Sequence, residues 1–102
     1  LQKICENYKQ ASKKWGPEAA RKLVRRLEQI KASSNLKIFM LVHRRCHHLT
    51  GNRKGQYAAD LKHPRRLIFY PCDEEARIID ESAIDPESIN AVLIYEVLDY
   101  HD

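Results

Sequence analysis

No apolar run in this sequence approaches the roughly 18 residues that a membrane-spanning helix needs, and no signal-peptide pattern opens it. Cysteine is scarce: Cys5, Cys46 and Cys72 are odd in number and lack Cys-x-x-Cys spacing, which argues against a disulfide framework. There is also no Gly-rich phosphate loop of the P-loop type. These absences argue against a membrane protein and favour a protein of the reducing cytoplasm.

Acidic residues are rare in most of the chain. Residues 1–72 hold 17 lysines and arginines against four acids, whereas residues 73–102 hold one arginine against ten acids. The two parts neutralise each other to some extent, but the cations concentrate around turns, where side chains stay exposed. We therefore expect a cationic face for nucleic acid, with acids set elsewhere. These cations are Arg44, Arg45, Arg53, Lys54, Arg65 and Arg66.

The first third of the chain has helical periodicity. The length of 102 residues and the 43% hydrophobic content fit one folded domain over residues 1–102. An apolar stripe predicts a helix from Leu1 to Trp15, and Gly16-Pro17 separates it from a second helix. The stripe of the second helix is Ala20, Leu23, Val24, Leu27 and Ile30. We expect the two helices to form an antiparallel hairpin.

The period changes after residue 35. A helix stop and a new N-cap at residues 32–35 precede Leu36 to Val42, which we predict as a short helix or an apolar connector. Strands are predicted at 46–50, 57–61, 66–70 and 91–100, with a polar, acidic loop at Asp73–Ser88. Helices followed by strands indicate an α+β fold, with an N-terminal helical hairpin packed on a small antiparallel sheet.

Three motifs stand out in the second half of the chain. The first is Cys46-His47-His48-Leu49-Thr50-Gly51-Asn52-Arg53-Lys54-Gly55-Gln56-Tyr57, the second is Arg66-Leu67-Ile68-Phe69, and the third is Asp99-Tyr100-His101. In this order and at these separations they resemble the RelE/ParE superfamily of bacterial toxins, most closely its HigB-like branch. The resemblance covers nearly the whole chain.

This resemblance implies a RelE-like fold and the toxin of a type II toxin–antitoxin pair, acting in the bacterial cytoplasm. In the HigB-like branch the toxin is a metal-independent endoribonuclease that cleaves mRNA held on the ribosome. The implied partners are the ribosome, mRNA and a cognate antitoxin, expected to be a HigA-like helix-turn-helix protein. The toxin would meet DNA only through that antitoxin, and no cofactor, metal or membrane is implied.

Four residues match the family's catalytic positions: His47, Arg66, Tyr100 and His101. Metal-free RNA cleavage needs a base for the 2′-hydroxyl proton, a cation for the phosphorane charge and an acid for the leaving 5′-oxygen. His47 or His101 would serve as base or acid, since imidazole titrates near pH ~6.5. Arg66 would grip the phosphate, and Tyr100 would stack on a base or hydrogen-bond the phosphate. The cations expected to bind RNA phosphates are Arg45, Arg53, Lys54 and Arg65.

Two features depart from the family pattern. Several HigB-like enzymes carry a lysine where this chain has Thr50, and Lys54 is the candidate to replace that cation. The family also opens with an edge strand before the first helix, whereas this sequence starts at Leu1, so the strand is expected to be absent or to precede the sequence. Two other functions therefore stay open: a ParE-like toxin that inhibits DNA gyrase, and a degenerate toxin that acts as an operon co-repressor.

The candidate residues also have purely structural interpretations. His47 shares a strand face with Leu49, which is typical of a packed histidine. Arg66 would be an ion-pair partner of Asp99 or Glu96 across the sheet, and the loop from Gly51 to Gly55 would be only a turn.

A metal site is not predicted. The set His43, Cys46 and His47 would need helical spacing to converge, and neighbouring Arg44 and Arg45 would repel a cation. Cys46 also lacks an acid that would support it as a nucleophile.

The charged segments are expected to separate in space. We predict that Arg53, Lys54, Arg65 and Arg66 form a single cationic cleft or rim. The acidic segment Asp73–Glu87 should be an exposed loop away from the RNA face, because like charges would oppose phosphate binding.

Overall fold

Two helices precede four antiparallel strands in the described part of the chain, which confirms the predicted α+β class. The structure, a computed structural model, describes residues 3–5, 17–61 and 65–99. The helices are α1 (Pro17–Ala32) and α2 (Leu36–Val42), and the strands are β1 (Lys3–Cys5), β2 (His47–His48), β3 (Tyr57–Asp60), β4 (Arg65–Pro71) and β5 (Ala91–Asp99). Short 3₁₀ turns lie at Gly51–Arg53 and Glu81–Ala83.

Helix α1 begins at Pro17, as predicted, and buries an aliphatic stripe. Leu23, Leu27 and Ile30 are at most 7% exposed, because three- and four-residue steps place them on one helix face. Val24, which belongs to the predicted stripe, is 38% exposed. The stripe that contacts the sheet is therefore narrower than predicted.

Residues 36–42, predicted as a short helix or an apolar connector, form helix α2. The side-chain oxygen of Asn35 accepts a hydrogen bond from the backbone N–H of Ile38 at 2.9 Å, which satisfies an otherwise unpaired amide of the first turn. Leu36 and Phe39 are fully buried, and the Phe39 ring meets Phe69 of β4 edge-on at 6.4 Å between centroids. Within the described ranges, no helix is both long and apolar enough to span a membrane.

Strand β1 corrects the prediction for the beginning of the chain. Lys3–Cys5 pairs parallel with Ala91–Leu93 of β5 at the edge of the sheet, so these residues do not belong to a helix. A short apolar segment is compatible with both helical and strand periodicity. Hydrogen bonding to the edge of β5 makes this segment a strand. An edge strand before the helices is therefore present. The rest of the first predicted helix, including Trp15, lies outside the described residues.

The five strands form one sheet in the order β1-β5-β4-β3-β2, and its two faces differ in character. Successive side chains of a strand point to opposite faces. Leu67 and Phe69 of β4 belong to the buried cluster shared with both helices, so the alternate residues of β4 point away from the helices. We call this second side the distal face; it comprises Ala58, Asp60, Arg66, Ile68, Tyr70 and Glu96.

The segment between β4 and β5 is a largely exposed, acidic loop, as predicted for Asp73–Ser88. The carboxylate of Asp73 accepts hydrogen bonds from the backbone N–H groups of Arg77 and Glu75, each at 2.9 Å. These hydrogen bonds lower the pKa of Asp73 and fix the first turn of the loop.

Candidate functional site

Three arginines converge on Asp60, the last residue of β3. Asp60 Oδ1 lies 3.3 Å from Nε of Arg66, and Asp60 Oδ2 accepts a hydrogen bond from Nε of Arg45. The backbone carbonyl of Asp60 accepts a hydrogen bond from Nε of Arg26 at 2.8 Å. We call Arg26, Arg45, Asp60 and Arg66 the arginine cluster. Two guanidinium groups engage the Asp60 carboxylate and a third binds its backbone carbonyl, so the four residues together keep a net positive charge.

Different elements of the fold bring these four residues together. Asp60 and Arg66 are a cross-strand pair of the β3–β4 hairpin, Arg45 lies in the turn between α2 and β2, and Arg26 comes from α1. Cross-strand pairs on one face place their side chains in contact range. The cluster is thus a product of the helix-on-sheet arrangement.

Sequence reasoning selected Arg45 and Arg66 but missed Asp60 and Arg26. Asp60 has a sequence signal, because it is the only acid between Glu28 and Asp73 in a markedly cationic stretch. A lone acid in such a stretch is the natural counterion of its neighbours. Arg26 has no such signal: it lies outside the predicted apolar stripe of α1, yet it is half-buried, and burial lowers its pKa.

His47 lies on β2, and its side chain is exposed. Its Nδ1 is 3.1 Å from the carbonyl oxygen of Arg45. Since His47 pairs in register with Ala58, its side chain belongs to the distal face. The interpretation of His47 as a packed histidine is therefore wrong. His47 and Arg66 lie on the same face, two strands apart, which places their Cα atoms roughly 12 Å from each other.

Arg53 contacts a different acid on the distal face. One of its Nη atoms lies 2.9 Å from Glu96 Oε1, and the other donates to Gln56 Oε1 at 2.7 Å. The Gln56 side chain, which is 6% exposed, donates in turn to the Tyr70 hydroxyl at 2.7 Å. Glu96 thus contacts Arg53, and Arg66 lies beside the carboxylate of Asp60.

Lys54 contacts the acidic loop. Its Nζ lies 3.6 Å from Glu81 Oε2, and His48 Nε2 lies 3.6 Å from the other oxygen of Glu81. The acidic loop therefore returns to the cations at Glu81, and the expectation that the whole of Asp73–Glu87 lies away from them is wrong at this residue. A cleft of about 720 Å³ lies between the acidic loop and the loop from Gly51 to Gly55. Lys54, Tyr70 and Glu81 are among the residues that line it.

The predicted single rim of cations is divided among separate acids. Arg66 contacts Asp60, Arg53 contacts Glu96, and Lys54 contacts Glu81. Arg65 pairs in register with Asp99 at the end of β5. The reason is topological: the β3–β4 hairpin pairs Asp60 with Arg66, and β5 and the acidic loop carry the other acids back to the cations. Tyr100 and His101 lie outside the described residues.

The loop from Gly51 to Gly55, which we call the basic loop, has a glycine at each end where the backbone φ angle is positive. Gly51 and Gly55 have φ angles of +66° and +89°, a region that side-chain-bearing residues rarely adopt. The backbone interpretation of these glycines is therefore confirmed. Thr50, where the HigB-like resemblance leads us to expect a lysine, is exposed just before this loop.

Cys46 and His47 point to opposite sides of the sheet. Cys46 is 4% exposed in the core, and burial raises its pKa to about 12, so the thiol stays protonated at neutral pH. His47 is on the distal face, so the two side chains do not converge. Among the residues that the structure describes, no group of three or more His, Cys, Asp or Glu side chains is arranged to hold a metal ion.

Comparison with known proteins returns no match: no family model, curated protein or solved structure corresponds to this chain. The resemblance to HigB-like toxins therefore rests on the sequence motifs.

Proposed function

We propose that this protein is the toxin of a type II toxin–antitoxin pair, an endoribonuclease of the bacterial cytoplasm that cleaves mRNA on the ribosome. A cognate antitoxin, expected to be a helix-turn-helix protein, would neutralise it and connect it to DNA. The observation that carries the proposal is the distal face, where an exposed histidine, His47, shares one surface with Asp60 and Arg66 of the positively charged arginine cluster.

The charge of this face suits a phosphodiester. A guanidinium group is always protonated in proteins and matches the geometry of phosphate oxygens. The arginine cluster contains three such groups for one carboxylate, so a phosphate placed there is attracted by the excess cations. The Arg66 side chain is 32% exposed, so solvent screens its charge less than that of a fully exposed arginine.

The proposed reaction needs no external reagent other than the RNA. The 2′-hydroxyl gives its proton to an imidazole and attacks the adjacent phosphorus, while Arg66 stabilises the negative charge of the phosphorane. The P–O5′ bond then breaks, a 2′,3′-cyclic phosphate remains, and the leaving 5′-oxygen takes a proton from the group that acts as general acid. His47 is assigned one of the two proton transfers, and His101 and Tyr100 are assigned to the same reaction from the family resemblance.

The proposal is tested by mapping the 5′ ends of mRNA after incubation of the purified protein with programmed ribosomes. Arg66→Ala should lower the single-turnover rate on pre-bound ribosomes by about 100-fold or more, the effect of removing one transition-state donor. Arg77→Ala is the matched control, because Arg77 contacts Asp73 and Glu75 within the acidic loop. Equal rates for both variants, or intact mRNA with the unaltered protein, would contradict the proposal.

A second candidate function is a ParE-like toxin without nuclease activity that inhibits DNA gyrase; a third is a degenerate toxin that acts only as an operon co-repressor. Two observations favour the second: Thr50 replaces the family's lysine, and Arg53 and Lys54 already contact internal acids. Inhibition of gyrase supercoiling by a protein that leaves ribosomal mRNA intact would support this alternative.

A further inference from the structure

Asp60 is the least expected member of the arginine cluster, because a carboxylate at a phosphate-binding surface opposes the binding of an anion. Its exposure is nevertheless low, and both of its oxygens are engaged by cations. If the Asp60 carboxylate only repelled phosphate, it would weaken phosphate binding and contribute nothing else to the site.

The geometry assigns Asp60 a different task. Its two oxygens each engage one guanidinium group, and in both cases the contact is made by Nε. Contact through Nε occupies one edge of an arginine side chain, which has five N–H donors. The side chain of Arg45 is 75% exposed, so its outer edge faces solvent while its inner edge is held.

Without the Asp60 carboxylate, the positively charged guanidinium groups of Arg45 and Arg66 would repel each other. Arg45 sits in a turn and Arg66 on a strand, and both have long side chains that adopt many rotamers. A shared carboxylate between them cancels their repulsion and fixes both orientations. Arg26, bound to the backbone carbonyl of Asp60 at 2.8 Å, holds the end of β3 to helix α1.

We propose that Asp60 is a positioning residue that holds Arg45 and Arg66 side by side so that they receive one RNA phosphate together. This role rests on the proposed function of the protein. It differs from a competitor role, in which Asp60 would occupy the phosphate position, and from a role in stability alone.

The substitution Asp60→Asn separates these roles, since it removes the charge and keeps the shape. If Asp60 is a positioning residue, its substitution should change the ribosome affinity and the cleavage rate in opposite directions. Affinity for programmed ribosomes should rise by about two- to fivefold at low salt, because the cluster becomes more positive. The single-turnover cleavage rate of pre-bound complexes should fall by about 10- to 100-fold, because Arg66 is no longer oriented.

The matched control is Glu87→Gln, which changes the net charge equally at an exposed ion pair with Lys37. Tighter binding by Asp60→Asn with an unchanged or faster rate would make Asp60 a competitor and overturn the proposal. Unchanged affinity and rate would reduce Asp60 to a structural residue and overturn it as well. A fall in both affinity and rate would also overturn it, because a site that had lost its shape would lose both.

A second variant, Asp60→Glu, tests the positioning role if Asp60→Asn folds poorly. Asp60→Glu keeps the charge on a side chain that is longer by one methylene, so affinity should stay unchanged while the cleavage rate falls by about tenfold. A normal rate would contradict the positioning role. Arg66→Ala distinguishes the two proposals: if it abolishes cleavage but the Asp60 variants keep the normal rate, only the role of Asp60 fails. If cleavage is absent in every protein, both fail.

Discussion

At the scale of single residues, His43 shows how the arginine cluster affects its surroundings. It caps the C-terminal end of α2, its ring centroid lies 5.7 Å from that of Phe39, and its Nε2 is buried without a hydrogen-bond partner in the described part of the chain. Burial lowers the pKa of His43, and the positive charges of Arg26 and Arg45 lower it further against the opposing effect of Asp60.

This lowered pKa predicts a pH dependence of stability. In the unfolded chain His43 takes up a proton near pH ~6.5, whereas the folded state resists protonation until a lower pH. The free energy of unfolding should therefore fall as the pH drops from about 7 through the folded pKa. Urea unfolding at pH 7.5, 6.5 and 5.5 measures this loss.

The variant His43→Gln should lose less stability over the same pH interval, because it has no imidazole to protonate. Identical slopes of unfolding free energy against pH in the two proteins would show that another group causes the acid sensitivity.

At the scale of elements, helix α2 presents two opposite surfaces within seven residues. Phe39 is fully buried against Phe69, whereas Leu41 and Val42 are 62% and 69% exposed. Every residue of α2 except Lys37 is apolar, so the sequence does not indicate which of the apolar residues contact the core. The docking of the helix on the sheet decides it.

This contrast gives a prediction with an internal control. Phe39→Ala should lower the free energy of unfolding by about 3–5 kcal/mol, because it opens a cavity in the core. Leu41→Ala, in the same helix, should change it by no more than about 0.5 kcal/mol. Denaturant unfolding followed by circular dichroism measures both values, and similar losses for the two variants would contradict the orientation of α2.

At the scale of the whole molecule, the two oppositely charged parts of the chain meet in space. The acids of residues 73–102 compensate individual cations of the first 72 residues, as Glu96 does for Arg53 and Glu81 for Lys54. Under the proposed function, RNA binding by these two cations would have to compete with the internal ion pairs. Salt dependence of binding should then be smaller than the count of cations suggests.

Two acids of one loop test this compensation. Glu81→Gln should raise RNA affinity by about two- to fivefold, since it releases Lys54, whereas Glu75→Gln should leave affinity nearly unchanged because Glu75 contacts Arg77 within the acidic loop. The measurement is a titration of labelled RNA at several salt concentrations. An equal gain for both variants would mean that only the overall charge matters, and not the contact with Lys54.

Several elements could be predicted because their signals are local. The N-cap at Asn35, the start of α1 at Pro17 and the left-handed glycines of the basic loop depend on residues close in the chain. Strand β1 could not be predicted in this way. Its three residues take their conformation from pairing with β5, nearly 90 positions away.

The sequence by itself determined the α+β class, the cationic character of residues 1–72 and the choice of Arg45, His47 and Arg66 as candidates. These follow from periodicity, composition and motif, which are read along the chain. Only the tertiary structure decided that Asp60 and Arg26 join the candidate site and that Arg53 and Lys54 contact acids elsewhere. Such contacts depend on strand register and on the docking of helices, which bring together residues that no local pattern connects.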